Sequence, residues 1–169
     1  MRVRVLSVTL PFLLLPGLVS AQTKMSGSGR CAKPDIEHSI PVPDRPNHTF
    51  VLNQGKCVWT KPWEIAGVKS KEGVGTVSEE VTGDTAKSRE VFVDTMENGD
   101  QGFYRYEATT TLKEGKPQTS QGRWTLTGGT GKLKGIQGKG TCKVATFEAD
   151  GGITFECTGD YTLAAPKKP

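Results

Sequence analysis

The chain has 169 residues, with 22 Lys and Arg against 18 Asp and Glu, for a formal charge of +4. Its first 21 residues read as an export signal, which leaves a working protein of 148 residues, enough for one domain, with 20 basic and 18 acidic side chains. The two signs are interspersed, which excludes a basic footprint for nucleic acid or for an anionic membrane surface.

The signal expectation rests on Arg2 and Arg4, an apolar run to about Leu15, a Pro16-Gly17 break and the small residues Val19-Ser20-Ala21 before the cut. The run is shorter than the ~20 residues that a spanning helix needs, and no later segment is apolar enough, so no membrane span is expected. Arg30 immediately before Cys31 argues against a lipid-modified N-terminus. The destination read from this is the periplasm or the medium.

Residues 22–47 contain Ser26-Gly27-Ser28-Gly29 and then Pro34, Pro41, Pro43 and Pro46, which reads as a flexible, then extended arm outside the core. The core is placed at 48–163 and a solvated tail at 164–169. After the signal come five Leu against ten Val, nineteen Thr and twenty Gly, a composition of strands and turns. Strands are predicted at about 49–53, 56–60, 63–68, 73–82, 88–96, 101–113, 119–127, 132–136, 139–148 and 152–163, with Gly, Asn, Asp or Pro at nearly every break. Asn98-Gly99 is the strongest hairpin signal, because both residues tolerate the positive φ of a type I′ turn. No stretch sustains a 3.6-residue period. The fold class is therefore all-β, an antiparallel barrel or sandwich.

Alternation assigns the faces. Tyr104, Tyr106, Ala108, Thr110 and Leu112 share one face and Arg105, Glu107, Thr109 and Thr111 the other. Trp124 and Leu126 oppose Arg123 and Thr125, and Ile153, Phe155, Cys157 and Tyr161 oppose Glu156 and Asp160. The apolar, aromatic face must be buried by closure or by a second sheet. Packing is the ordinary role for such aromatics; where a pocket exists, Tyr104, Tyr106, Trp124 and Phe155 are the residues expected to line it.

Four cysteines in an exported chain point to disulfides and allow three connectivities. Proximity favours Cys31 with Cys57 and Cys142 with Cys157, the second pair flanking a hairpin at Asp150-Gly151-Gly152. Zinc is disfavoured, since there is no C-x-x-C pair and the only histidines are His38 and His48. A Ser-His-Asp set lacks a G-x-S-x-G elbow, and Glu79 and Glu80, adjacent on a strand, point to opposite faces. No catalytic residue, metal or cofactor is assigned.

The run from Thr127 to Gly140 fails as a phosphate loop, because Leu126 and Leu133 stand where glycine is required, and it fails as a dinucleotide fingerprint because no helix follows. Gly128, Gly129, Gly131, Gly135 and Gly138 are expected to be structural, permitting a tight turn and a closely approached strand pair. The segment TLTGGTGKLKGIQGKGT, preceded by Trp124 and followed by a terminal hairpin, resembles the glycine-rich strand-turn-strand signature of the allene oxide cyclase and dirigent-like barrels, including small exported bacterial members. That resemblance implies an eight-stranded antiparallel barrel with an apolar cavity, in a superfamily whose members bind or fold lipophilic substrates and often form homo-oligomers. It transfers no active site.

Two functions stay open. One is a non-enzymatic exported barrel that holds a small lipophilic ligand or serves as a structural or partner-binding module; the other is a cofactor-free cyclase or isomerase. An ionisable side chain turned into the cavity would favour the second, whereas alternation puts Arg105 and Glu107 outside.

Overall fold

The computed structural model describes residues 22–164, so the segment expected to be an export signal and most of the expected tail lie outside the described residues. The strands are β1 (Thr23–Cys31), β2 (Ile36–Pro41), β3 (His48–Lys61), β4 (Glu64–Ile65), β5 (Val68–Thr82), β6 (Thr85–Met96), β7 (Gln101–Lys113), β8 (Lys116–Gly129), β9 (Gln137–Phe147) and β10 (Ile153–Thr162). From β5 to β10 each strand pairs antiparallel with the next. The ring closes because β1 lies between β10 and β3, and β3 pairs with β5. Eight strands thus form a closed antiparallel barrel, with β2 and the two-residue β4 as additions.

Hairpin chemistry sets the registers. Between β6 and β7, Met96 N–H donates to the Asp100 carbonyl and Gly99 N–H to the Met96 carbonyl, a three-residue loop whose last residue, Gly99, sits at φ 85°. Asn98 is not at positive φ, so the expected type I′ turn does not form there. Positive φ at two successive central residues occurs instead at Ala66 (52°) and Gly67 (75°), between β4 and β5, and at Glu114 (53°) and Gly115 (74°), between β7 and β8.

The arm expected to be flexible is largely part of the wall. Thr23–Cys31 is a full barrel strand, and Ile36–Pro41 extends its line along β3, from Ile36 opposite Gln54 to Pro41 opposite Thr49. Ser26-Gly27-Ser28-Gly29 is a strand whose inward residues have no side chain. A Cβ on Gly27 would lie 2.8 Å from the Lys61 carbonyl oxygen, and one on Gly29 would lie 2.5 Å from the Phe155 ring. Glycine lets large rings occupy the interior there.

The segment expected as a strand at 132–136 is also different. Gly131–Leu133 forms one 3-10 turn, and Leu133 and Ile136 are buried beneath the barrel with Ile65, Met96 and Leu126. Of the glycines expected to turn this segment, Gly131 and Gly135 take positive φ (50° and 75°). Gly129 and Gly138 serve close approach, since a Cβ would lie 2.6 Å from the Gln101 carbonyl oxygen and 2.7 Å from that of Asp160. Both disulfides are inward-facing rungs between neighbouring strands, Cys31–Cys57 joining β1 to β3 and Cys142–Cys157 joining β9 to β10.

Candidate functional site: the barrel lumen

One end of the barrel is closed and the other is open. The floor is built from Trp63, Ile65, Met96, Tyr104, Trp124, Leu126, Leu133 and Ile136, each at most 3% exposed. Above it a lumen of about 940 Å³ opens between the hairpin at Gly83-Asp84, the hairpin at Glu114-Gly115 and the β9–β10 loop. Arg30 pins that last loop to the wall through Glu148 and Asp150.

From mouth to floor, β6 turns Ala86, Ser88, Glu90, Phe92, Asp94 and Met96 inward, opposite Thr110, Ala108, Tyr106, Tyr104 and Gly102 of β7 for the first five of them. The lower lumen is a continuous set of rings. Trp59 contacts Trp63 (centroids 4.3 Å) and Phe155 (5.3 Å), Trp63 stacks on Tyr104 (5.6 Å), and Trp124 meets both Trp63 and Tyr104 edge-on. Small residues make room for them: a Cβ on Gly140 or Gly159 would lie 2.4 or 2.3 Å from the Trp124 ring, and one on Gly73 would lie 2.1 Å from that of Phe92.

Two carboxyl groups on β6 have opposite surroundings. Asp94 is fully buried and accepts hydrogen bonds from Ser70 Oγ (2.5 Å), Trp59 Nε1 (2.9 Å) and Trp63 Nε1 (3.2 Å). Burial raises its pKa, and these three donors pull it part of the way back. Glu90 has no hydrogen-bond partner among the described residues, and burial alone pushes its pKa up to about 7. Its carboxylate lies over Gly75, where a Cβ would stand 2.1 Å from Oε1. Across the ladder, the Tyr106 hydroxyl donates to the Cys142 carbonyl at 3.3 Å, and burial with the neighbouring Glu90 charge raises its pKa to about 12. Nearer the mouth, burial and then the Glu37 charge raise Glu79.

No family model matches the chain, and no curated protein matches it. Among solved structures it is similar to the pterocarpan synthase dirigent protein GePTS1, at 12% sequence identity and TM-score 0.49, over 94% of this chain and 99% of that one. It is also similar to the pterocarpan synthase dirigent protein PsPTS1, at 13% identity and TM-score 0.47, over 86% and 97%. The strand pairing itself establishes the architecture, eight antiparallel strands closed by β1 against β10 and β3. The fold is a closed eight-stranded antiparallel barrel.

The lumen of this barrel contains all four aromatics named from alternation, Tyr104, Tyr106, Trp124 and Phe155. Tyr104 and Trp124 belong to the tightly packed floor, each 3% exposed, and Tyr104 Oη and Trp124 Nε1 are buried without a hydrogen-bond partner among the described residues. Arg105 and Glu107 lie outside the barrel, where Glu107 pairs with Arg89 at 3.5 Å. Sequence reasoning did not single out Trp59, Trp63, Glu90 or Asp94. In β6 the simple apolar/polar reading inverts: Val91, 53% exposed, faces solvent, while the acids face in. The signal was in the hairpin, because a three-residue loop at 97–99 places residue 90 opposite Tyr106.

His48 is part of the outer wall. Its Nδ1 pairs with Asp44 at 2.5 Å and its Nε2 with Glu80 at 3.0 Å, which fastens the loop after β2 to β5. Among the described residues no three His, Cys, Asp or Glu side chains converge as a metal site.

Proposed function

We propose that this is an exported, non-enzymatic barrel protein that holds a small lipophilic molecule in its lumen. The observation that carries the reading is an open space of about 940 Å³ above an aromatic floor, walled by Phe92, Tyr106 and Trp59. Natural pockets of this size are mostly apolar and include a few placed polar groups, and Glu90 is such a group. Two disulfides support an oxidising destination.

Titration of the exported chain with the neutral fluorophore N-phenyl-1-naphthylamine tests this. Saturable one-to-one binding with energy transfer from tryptophan is expected, weakened about tenfold or more in Ser88→Trp, which fills the lumen above the floor. Unchanged binding in a folded Ser88→Trp protein would place the ligand elsewhere and defeat the reading.

A second reading, a cofactor-free isomerase or cyclase, is favoured by Glu90 itself. A carboxyl poised near neutrality can deliver a proton to a bound molecule and recover one from it, leaving the enzyme unchanged. Mass spectrometry of molecules that copurify with protein from its native host separates the readings. A molecule converted by the wild type and unconverted by Glu90→Gln supports the enzyme, and one returned unaltered by both supports the carrier.

A further inference from the structure

Resting on the reading of the lumen as a ligand site, we infer that it selects lipophilic amines, with the ammonium group against Glu90 and the apolar body on Phe92, Tyr106 and Trp59. The inference begins with sign. The chain has more basic than acidic residues, yet the ionisable side chains turned toward the upper lumen are Glu37, Glu79, Glu90 and Tyr106, with Asp84 and Glu114 at the rim. The one basic residue on that wall, Lys143, follows the inward Cys142 and points outward, to an ion pair with Glu156 at 3.1 Å. No lysine or arginine neutralises these acids from within the lumen among the described residues.

The second observation is the state of Glu90. It lines the lumen, cradled on Gly75, and has no donor from backbone or side chain among the described residues. A carboxylate so placed is costly unless something charged or hydrogen-bonding sits against it. Water reaches it through the lumen, but a ligand that displaces that water must replace its hydrogen bonds. A carboxylate ligand would add like charge, and a hydrocarbon would strand the group.

An ammonium satisfies both features of the wall. Its N–H groups make charge-assisted hydrogen bonds to Glu90, and its charge is attracted to the faces of Tyr106, Phe92 and Trp59. It would also relieve the repulsion between Glu37 and Glu79, which together with burial holds Glu79 above its ordinary value.

The test is calorimetric titration at pH 7.5 with three probes of matched length, 4-phenylbutylamine, 4-phenylbutanol and 4-phenylbutyrate. The amine is expected to bind at least about tenfold tighter than the alcohol, and the acid weaker than both. Glu90→Gln, which keeps shape and removes charge, should bring amine and alcohol to within about threefold of each other by weakening the amine alone. An alcohol or acid that binds as tightly as the amine would overturn the inference while leaving the lumen as a ligand site. Survival of the full amine preference in Glu90→Gln would overturn it as well. If none of the three binds, and N-phenyl-1-naphthylamine also fails, the ligand-site reading falls with it.

Discussion

Asp94 and Glu90 occupy the same inward face of β6, four residues apart, and the protein treats them in opposite ways. Asp94, at the closed end, is surrounded by two indole N–H groups and a serine hydroxyl. Glu90, halfway to the mouth, receives no donor from the described residues. The lower carboxyl is therefore committed to the fold, since it orients Trp59 and Trp63 and so shapes the floor. The upper one costs stability and returns nothing to the folded chain, the pattern expected of a group kept for a ligand.

The sharpest way to break this contrast is to remove each partner in turn. Asp94→Ala strands two indole N–H groups and Ser70 in a buried site, and the expected loss is about 4 kcal/mol, read from the midpoint of urea unfolding. A loss below about 1 kcal/mol would show that the floor does not depend on the network.

Glu90 should show itself through pH. Because the fold raises its pKa from 4.5 to about 7, the folded state holds the proton more tightly than the unfolded chain. Stability attributable to Glu90 is full below about pH 4.5 and is lost as pH rises through about 7, by about 2–3 kcal/mol. Burial acts in the same direction on Asp94 and Glu79, so the comparison that isolates Glu90 is wild type against Glu90→Gln. The difference in unfolding free energy between the two should change over that window, with the variant gaining relative to wild type at higher pH.

The smallest effect concerns the orphan hydroxyl of the floor. Tyr104→Phe removes a buried donor that has no partner among the described residues and keeps the ring that stacks on Trp63, so it should be neutral or stabilise by about 1 kcal/mol in thermal unfolding. A clear loss would reveal a partner for Tyr104 in solution.

Much of the wall was legible because period-two alternation is faithful where the inward face is apolar, as along Tyr104, Tyr106 and Ala108 in β7 and Phe155 and Cys157 in β10. The disulfides followed from the same logic, with chain proximity and a hairpin placing Cys142 opposite Cys157. Three things were hidden. The first strand has glycine at inward positions 27 and 29, so its inward hydrophobic pattern is reduced to Met25 and Cys31. The plug around Leu133 imitates a strand in composition, yet its backbone closes Leu133 N–H onto the Thr130 carbonyl. The acids of β6 face inward against their polarity, since the neighbouring register leaves Val91 outside, and strand polarity alone reports the opposite.

The position of β1 also bears on how the molecule is assembled. Its partners on one side, from Thr23 with Tyr161 to Cys31 with Ile153, lie at the far end of the chain, while its partners on the other side lie only as far on as Lys61. Ring closure must therefore await the last strand, a non-local step that is slow on general grounds. Cys31 and Cys57, 26 residues apart, can join long before β10 is made. Oxidised at that stage, they hold the first stave against the third, and the late event becomes insertion of β10 into a waiting slot between β1 and β9 rather than capture of a free end. The bond nearest the N-terminus thereby influences the sequence of assembly as well as the strength of the finished ring.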